Sequence, residues 1–240
     1  AEDTDVKALV IRINSPGGTV TASDILYHEI KHFKTTRKIP VIASIMDIGA
    51  SGGYYIAAAA DKIVAHPTSI TGSLGVIMLT TNASGLLEKI GVQATAVTSG
   101  PRKDMGSPFR AMTEEERAIF QGVINGFYER FLAVIQEGRP GLQPEQIRKL
   151  ADGRIYTGEQ AKALNLIDQV GYLEEAIDLA KRAAGLDQAR IVVYSRPGDY
   201  RPNIYAKTFD PGLNLMGMPS LDLLSLVRGG HPQFMYLWMP

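Results

Sequence analysis

The sequence predicts an α/β fold with mostly parallel strands. Three observations carry this. Short apolar or β-branched runs alternate with helix-patterned segments through the first hundred residues. The joints between them are brief Gly, Ser and Pro turns. The longest amphipathic stripe comes only after that alternation has ended. Strand–helix alternation with short joints is the pattern of parallel α/β units. With 240 residues and 45% apolar composition, the chain can bury one large core.

The elements follow in order. Val6 to Ile13 reads as a strand that breaks at Asn14-Ser15-Pro16-Gly17-Gly18. Thr21 or Ser23 can cap a helix with Ile25, Leu26, Ile30 and Phe33 on one stripe. Pro40 to Ile45 is the next strand, and Ile56 to Ala60 favours helix. Strands are expected at Asp61 to Ala65, Leu74 to Thr80 and Gln93 to Val97, with a short helix over Ser84 to Ile90. Thr98 to Ser107 is a polar loop. Thr113 and Glu116 form a capping box for a helix to Glu137, stopped by Gly138. Further helices are expected over Gln143 to Leu150, from Thr157 to Leu164 and over Leu173 to Ala184, with a last strand at Arg190 to Tyr194.

The domain is expected to span 1–195. Residues 196–240 hold six of the thirteen prolines and read as an irregular tail with one short helix at Leu221 to Val227. The tail ends Phe234-Met235-Tyr236-Leu237-Trp238-Met239, too apolar to stand in solvent, so it should pack on something.

Composition excludes several classes. Net charge is zero, so nothing electrostatic favours nucleic acid. Zero cysteines remove disulfides, thiol catalysis and Cys-ligated metals. Among four histidines only His28 and His32 have helical ligand spacing, and their charged surroundings read as a solvated face. No metal or organic cofactor is implied. No run reaches the ~20 apolar residues of a membrane span. The chain opens without methionine directly before its first strand, which reads as a processed or truncated chain in which a missing N-terminal anchor would be invisible.

The organising stretch is Asp47-Ile48-Gly49-Ala50-Ser51-Gly52-Gly53-Tyr54-Tyr55. Glycines let backbone approach a ligand closely. A serine at a helix start has free N–H groups beside it. The plain alternative is a turn with an N-capping serine. Three functional readings are open. Gly49-Ala50-Ser51-Gly52-Gly53 fits the G-x-S-x-G elbow of α/β-hydrolases, but only two strands precede it, and only His66 and His231 follow. A serine–lysine dyad is the second. A lysine base must be neutral at working pH, through burial or nearby cations. Lys103, flanked by Gly100 and Gly106, is the candidate, against the reading of a solvated loop lysine. The third is a non-catalytic scaffold of the same fold.

Asn14-Ser15-Pro16-Gly17-Gly18, Ala50-Ser51-Gly52-Gly53-Tyr54-Tyr55, Ala59-Ala60-Asp61-Lys62-Ile63, Thr71-Gly72-Ser73-Leu74-Gly75-Val76, and Lys103-Asp104-Met105 through Ser107-Pro108 and Arg110 appear in this order. Together they resemble the signal peptide peptidase A family of membrane-associated serine peptidases, from about Val6 to Ala184. The resemblance implies a Clp/crotonase-like fold of repeated ββα units, with a helical C-terminal part. It implies Ser51 as nucleophile, Lys103 as general base, Ser73 as the hydroxyl orienting that lysine, and Gly17 or Gly18 with Gly52 as oxyanion donors. It further implies a homo-oligomer, an octamer for a single-repeat chain, with serine and lysine from neighbouring subunits. Substrates would be cleaved signal peptides and other short apolar peptides. Location would be the cell membrane, through an N-terminal anchor absent from this chain, with the catalytic domain on the extracytoplasmic side.

Overall fold

Ten residues, Val41–Ala50, form the central strand of the protein. The computed structural model describes residues 3–194 and 233–238. Its elements are β1 (Leu9–Ser15), β2 (Gly17–Thr19), α1 (Val20–Arg37), β3 (Val41–Ala50), α2 (Gly52–Ala57), β4 (Lys62–Ala65), β5 (Ile70–Gly72) and β6 (Ile77–Leu79). They continue with α3 (Ser84–Lys89), α4 (Glu114–Gly138), α5 (Pro144–Leu150), β7 (Ile155–Thr157), α6 (Gly158–Ala163), β8 (Gln169–Val170), α7 (Leu173–Ala183) and β9 (Gln233–Leu237).

The first half of β3 pairs in parallel with β1, Leu9 opposite Val41, and with β4, Ile42 opposite Lys62. Its second half is handed over to β5, where Ala50 sits opposite Gly72. β8 extends the sheet in parallel beyond β4, and β7 closes the other side antiparallel to β5. The fold is therefore the expected α/β arrangement with a mostly parallel sheet. Such a sheet needs cover on both faces. Tyr54, Tyr55, Phe131, Val134 and Ile135 join Val41, Ala43 and Ile45 in the larger core cluster. Ile42 and Val64 turn the other way, onto Ala176 and Ala180 of α7.

Several boundaries differ from expectation. The cap of α1 is Thr19, whose Oγ1 accepts from the Ala22 N–H at 3.3 Å; Ser23 lies inside the helix and returns its hydroxyl to the Thr19 carbonyl. Helix α2 starts at Gly52, directly after the serine, rather than at Ile56. The expected strand Gln93 to Val97 has strand-like alternation but no ladder partner, and it lies exposed. Arg190 to Tyr194 likewise forms no strand. The expected helix Leu221 to Val227 lies outside the described residues. The capping box of α4 forms as read, with Thr113 Oγ1 accepting from Glu116 N–H and Glu116 accepting from Thr113 N–H.

One compact unit runs to Asp187 and takes in β9, while residues 188–231 belong to a second. The apolar end of the chain does pack. It forms β9, a regular strand inside the segment expected to be irregular, antiparallel to β2 on one side and β6 on the other. No helix among the described residues is long and apolar enough to cross a membrane.

Candidate active site

The strands β3 and β5 run side by side and end together, and each delivers a serine. Ser51 follows Ala50 and Ser73 follows Gly72, the pair in register. Ser51 has φ 52° and Ser73 φ 49°, both in the left-handed region that side-chain-bearing residues avoid. Backbone held this way persists only where its surroundings over-determine it. They do: Ser51 N–H donates to the Gly72 carbonyl at 2.7 Å, and Ser73 N–H to the Arg154 carbonyl at 2.7 Å.

Ser51 occupies the N-cap position of α2, but its side chain makes no capping bond. Its Oγ is buried and has no hydrogen-bond partner. Burying an unpaired hydroxyl is unfavourable, so the arrangement argues against a merely structural cap. No histidine reaches it among the described residues either; of the two hydrolase candidates, His66 is bonded to Thr68 and His231 lies outside the described residues. His28 and His32 stack face to face at 6.4 Å, with no group of three metal-ligating side chains among the described residues.

The glycines come to the same place. Ser15 of β1 pairs with Gly49, which carries β2 past the start of α2. Gly17 has φ +113°, and a Cβ there would lie 2.9 Å from the Gly52 nitrogen. A Cβ on Gly52 would lie 3.1 Å from the Gly17 Cα and 2.5 Å from Ser23 Oγ. The Gly17 N–H is already used by Ser15 Oγ at 3.1 Å, which leaves the Gly18 and Gly52 amides as the candidate donors.

Lys103 stands apart. It lies exposed in the turn after Gly100, whose carbonyl accepts its N–H at 3.1 Å, and no hydrogen bond joins it to Ser51 or Ser73 within the chain. The loop around it is anchored. Arg110 Nε and Nη2 donate to Asp104 at 2.8 and 2.9 Å, and Nη1 donates to Glu116 Oε2 at 2.9 Å. Arg110 and the Thr113 N–H together pull the Glu116 carboxyl down to about 2.

β9 lies along this site between β2 and β6. A Cβ on Gly17 would meet the Tyr236 carbonyl oxygen at 1.9 Å, and one on Gly52 would meet it at 3.1 Å. A peptide carbonyl thus rests beside both glycines. Trp238 N–H donates to the Pro16 carbonyl at 2.8 Å. The Tyr236 side chain is fully buried, stacked on Tyr55 at 5.0 Å and tilted against Phe131 at 4.7 Å, and its hydroxyl donates to the Phe127 carbonyl at 2.9 Å. Phe234 packs on Phe127. Burial raises the Tyr236 hydroxyl, and burial with the Asp24 bond raises that of Tyr55, so both stay neutral. Sequence reasoning missed Tyr55, Phe131 and Phe127 as groove walls. Tyr55 was visible as the aromatic four residues after Ser51, one helical turn on the same face.

Residues 33–187 match the profile of Peptidase family S49. An Enterococcus faecium protein provisionally named signal peptide peptidase SppA is 42% identical over 193 residues, covering 80% of this chain and 56% of that protein. The Arabidopsis thaliana protein named "Serine protease SPPA, chloroplastic" is 37% identical over 239 residues, covering 95% of this chain and 34% of its own length. The chain thus spans about half the length of the first and a third of the second. A solved structure of a ClpP1 N165D mutant from Listeria monocytogenes is 21% identical, with a TM-score of 0.46 over 72% of this chain and 80% of that one. On the match over residues 33–187, more than half of the chain, and on relatives of this identity, the chain belongs to Peptidase family S49.

Proposed function

We propose that this chain is a serine peptidase domain in which Ser51 is the nucleophile and Lys103 the general base. The observation that carries the reading is a buried, unpartnered Ser51 Oγ set beside glycines that already hold a strand's carbonyl. In the reaction, Lys103 takes the Ser51 proton as Oγ attacks the scissile carbonyl. The Gly18 and Gly52 amides receive the developing oxyanion, where one donor is worth on the order of 3 kcal/mol. The lysine then protonates the leaving amine, and water attacks the acyl-enzyme by the same route in reverse. Ser73, beside Ser51, orients the lysine.

Lys103 reaches Ser51 from a neighbouring copy. Supporting this, no base is hydrogen-bonded to Ser51 Oγ among the described residues of its own chain, while Lys103 is exposed on a loop whose flanks are ion-paired. The assembly is a homo-octamer, anchored in the cell membrane by a segment N-terminal to this chain, with the peptidase domain on the extracytoplasmic side. Its substrates are cleaved signal peptides and other short apolar peptides, taken as an extended strand between β2 and β6. β9 then stands as a product-like, inhibitory segment in its own groove.

The test is turnover of a short apolar fluorogenic peptide by the parent chain, Ser51→Ala and Lys103→Ala, with the mass of each assembly. Loss of turnover in both variants at unchanged mass supports the dyad. If both variants of an assembled parent cleave as well as it does, the dyad is wrong and the turnover belongs to another residue or to a contaminant.

A further inference from the structure

The seat of Tyr236 is braced from behind by a polar clamp that the chemistry above does not use. Tyr55 stands one turn after Ser51, and its N–H donates to the Ser51 carbonyl at 2.9 Å. Its ring lies on Tyr236 at an interplanar angle of 22°. Its hydroxyl donates to Asp24 Oδ1. The same oxygen accepts from Arg130 Nε at 3.1 Å and Nη2 at 2.9 Å. Beside it, Tyr27 donates to Glu137 Oε2 at 2.7 Å, Glu137 pairs with Lys31 at 2.6 Å, and the Arg130 guanidinium lies 5.9 Å over the Tyr27 ring.

Asp24, Tyr27 and Lys31 share one face of α1, at helical spacing; Arg130 and Glu137 share one face of α4. The two faces meet around the Tyr55 hydroxyl. Packing alone does not ask for this, because phenylalanine at 55 would bury the same ring. A hydroxyl bonded to an ion pair adds a fixed orientation of the ring.

We propose that Asp24 and Arg130 are positioning residues for the peptide groove. They fix the Tyr55 ring, and with it the wall on which an aromatic side chain at the Tyr236 position stacks. For its substrate this rests on the peptidase reading. The positioning itself is read on β9 and needs no turnover.

The experiment is residue-resolved amide hydrogen exchange on the full chain, for the parent, Asp24→Ala, Tyr55→Phe and Asp24→Asn. Asp24→Ala and Tyr55→Phe are expected to speed exchange in β9 by about ten- to a hundredfold, the factor of one lost charge-assisted hydrogen bond. Exchange in β3 should not change. Asp24→Asn keeps an amide oxygen for the tyrosine and should lie near the parent. Tyr55→Phe is the mild variant should Asp24→Ala fold poorly. In the active enzyme, preference for a peptide with tyrosine over alanine at the Tyr236 position should fall by a similar factor in the first two variants. Unchanged β9 exchange, or equal acceleration in β9 and β3, overturns the proposal whatever the activity. Selective opening of β9 upholds the positioning even where the assembled chain cleaves nothing with or without the tail after Arg228, an outcome that removes the peptidase reading instead.

Discussion

Ser51 and Ser73 leave adjacent parallel strands with nearly the same left-handed backbone, φ 52° and 49°, coupled by the 2.7 Å bond from Ser51 N–H to the Gly72 carbonyl. Neither can relax without moving the other's strand end. Substituting glycine at Ser73 should therefore remove strain while deleting the hydroxyl. Ser73→Gly is expected to keep or raise the thermal midpoint and to lower kcat by about tenfold or more, as loss of a lysine-orienting group would. Equal kcat in Ser73→Gly and the parent would remove Ser73 from the proposed machinery.

The proposed dyad across copies makes a mixing prediction. Ser51→Ala and Lys103→Ala, each inactive alone, should regain part of the parent's activity when unfolded, mixed and reassembled. Sites pairing an intact Ser51 with an intact Lys103 then form between chains. No recovery from a mixed assembly of full mass would place both residues of a site in one chain.

The three site glycines should differ. Gly17 has positive φ, and an added Cβ would lie 1.9 Å from the Tyr236 carbonyl oxygen and 2.9 Å from the Gly52 nitrogen, so Gly17→Ala blocks the carbonyl seat for β9 and for a substrate alike. Gly52→Ala meets Ser23 Oγ at 2.5 Å, which a rotamer change can relieve in part. Gly18→Ala meets nothing within 4 Å. Turnover is expected to fall most in Gly17→Ala and least in Gly18→Ala, whose N–H is kept. Peptide hydrolysis rates with circular dichroism melts check the order.

The Lys103 loop should loosen in acid. Glu116 lies at about 2 in the folded protein, held down first by Arg110 and then by the Thr113 N–H, against an ordinary 4.5. A depressed carboxylate contributes stability above its unfolded value and loses it as pH falls through the folded one. The contribution is thus full above about pH 4.5 and fades toward pH 2. Arg110→Ala should flatten this part of the stability–pH curve and lower kcat with little change in KM. Urea midpoints from pH 7 to 2.5 measure the first, and steady-state kinetics the second.

Removing the tail after Arg228 should raise peptidase activity, because β9 occupies the proposed peptide groove. A rate at or below the parent's would make β9 a packing strand instead.

Much of this was legible beforehand. Strand–helix alternation located β1, β3 and β4, because buried parallel strands read as apolar runs. The box of Thr113 and Glu116 located α4, because a cap is a local bond. The serine turn was visible as three glycines around Ser51. What escaped was set by partners distant in sequence. β2, β5, β7 and β8 are two or three residues long and exist only through their ladders. Gln93 to Val97 shows the converse, an alternating segment that finds no edge. Asp24 and Arg130 are ordinary helix-surface residues until Tyr55 brings them to one point, 106 residues apart.

The place of β9 also bears on what this protein leaves alone. β2 and β6 do not pair with each other, and each offers its free edge to the strand between them. A visitor can replace β9 only by bringing backbone amides and carbonyls with no prior commitment. Strands inside native proteins have already spent theirs on their own sheets, and helices on their own turns. On the proposed peptidase reading, intact neighbours would therefore be immune by their hydrogen-bond saturation, and vulnerability would begin wherever a chain has come undone.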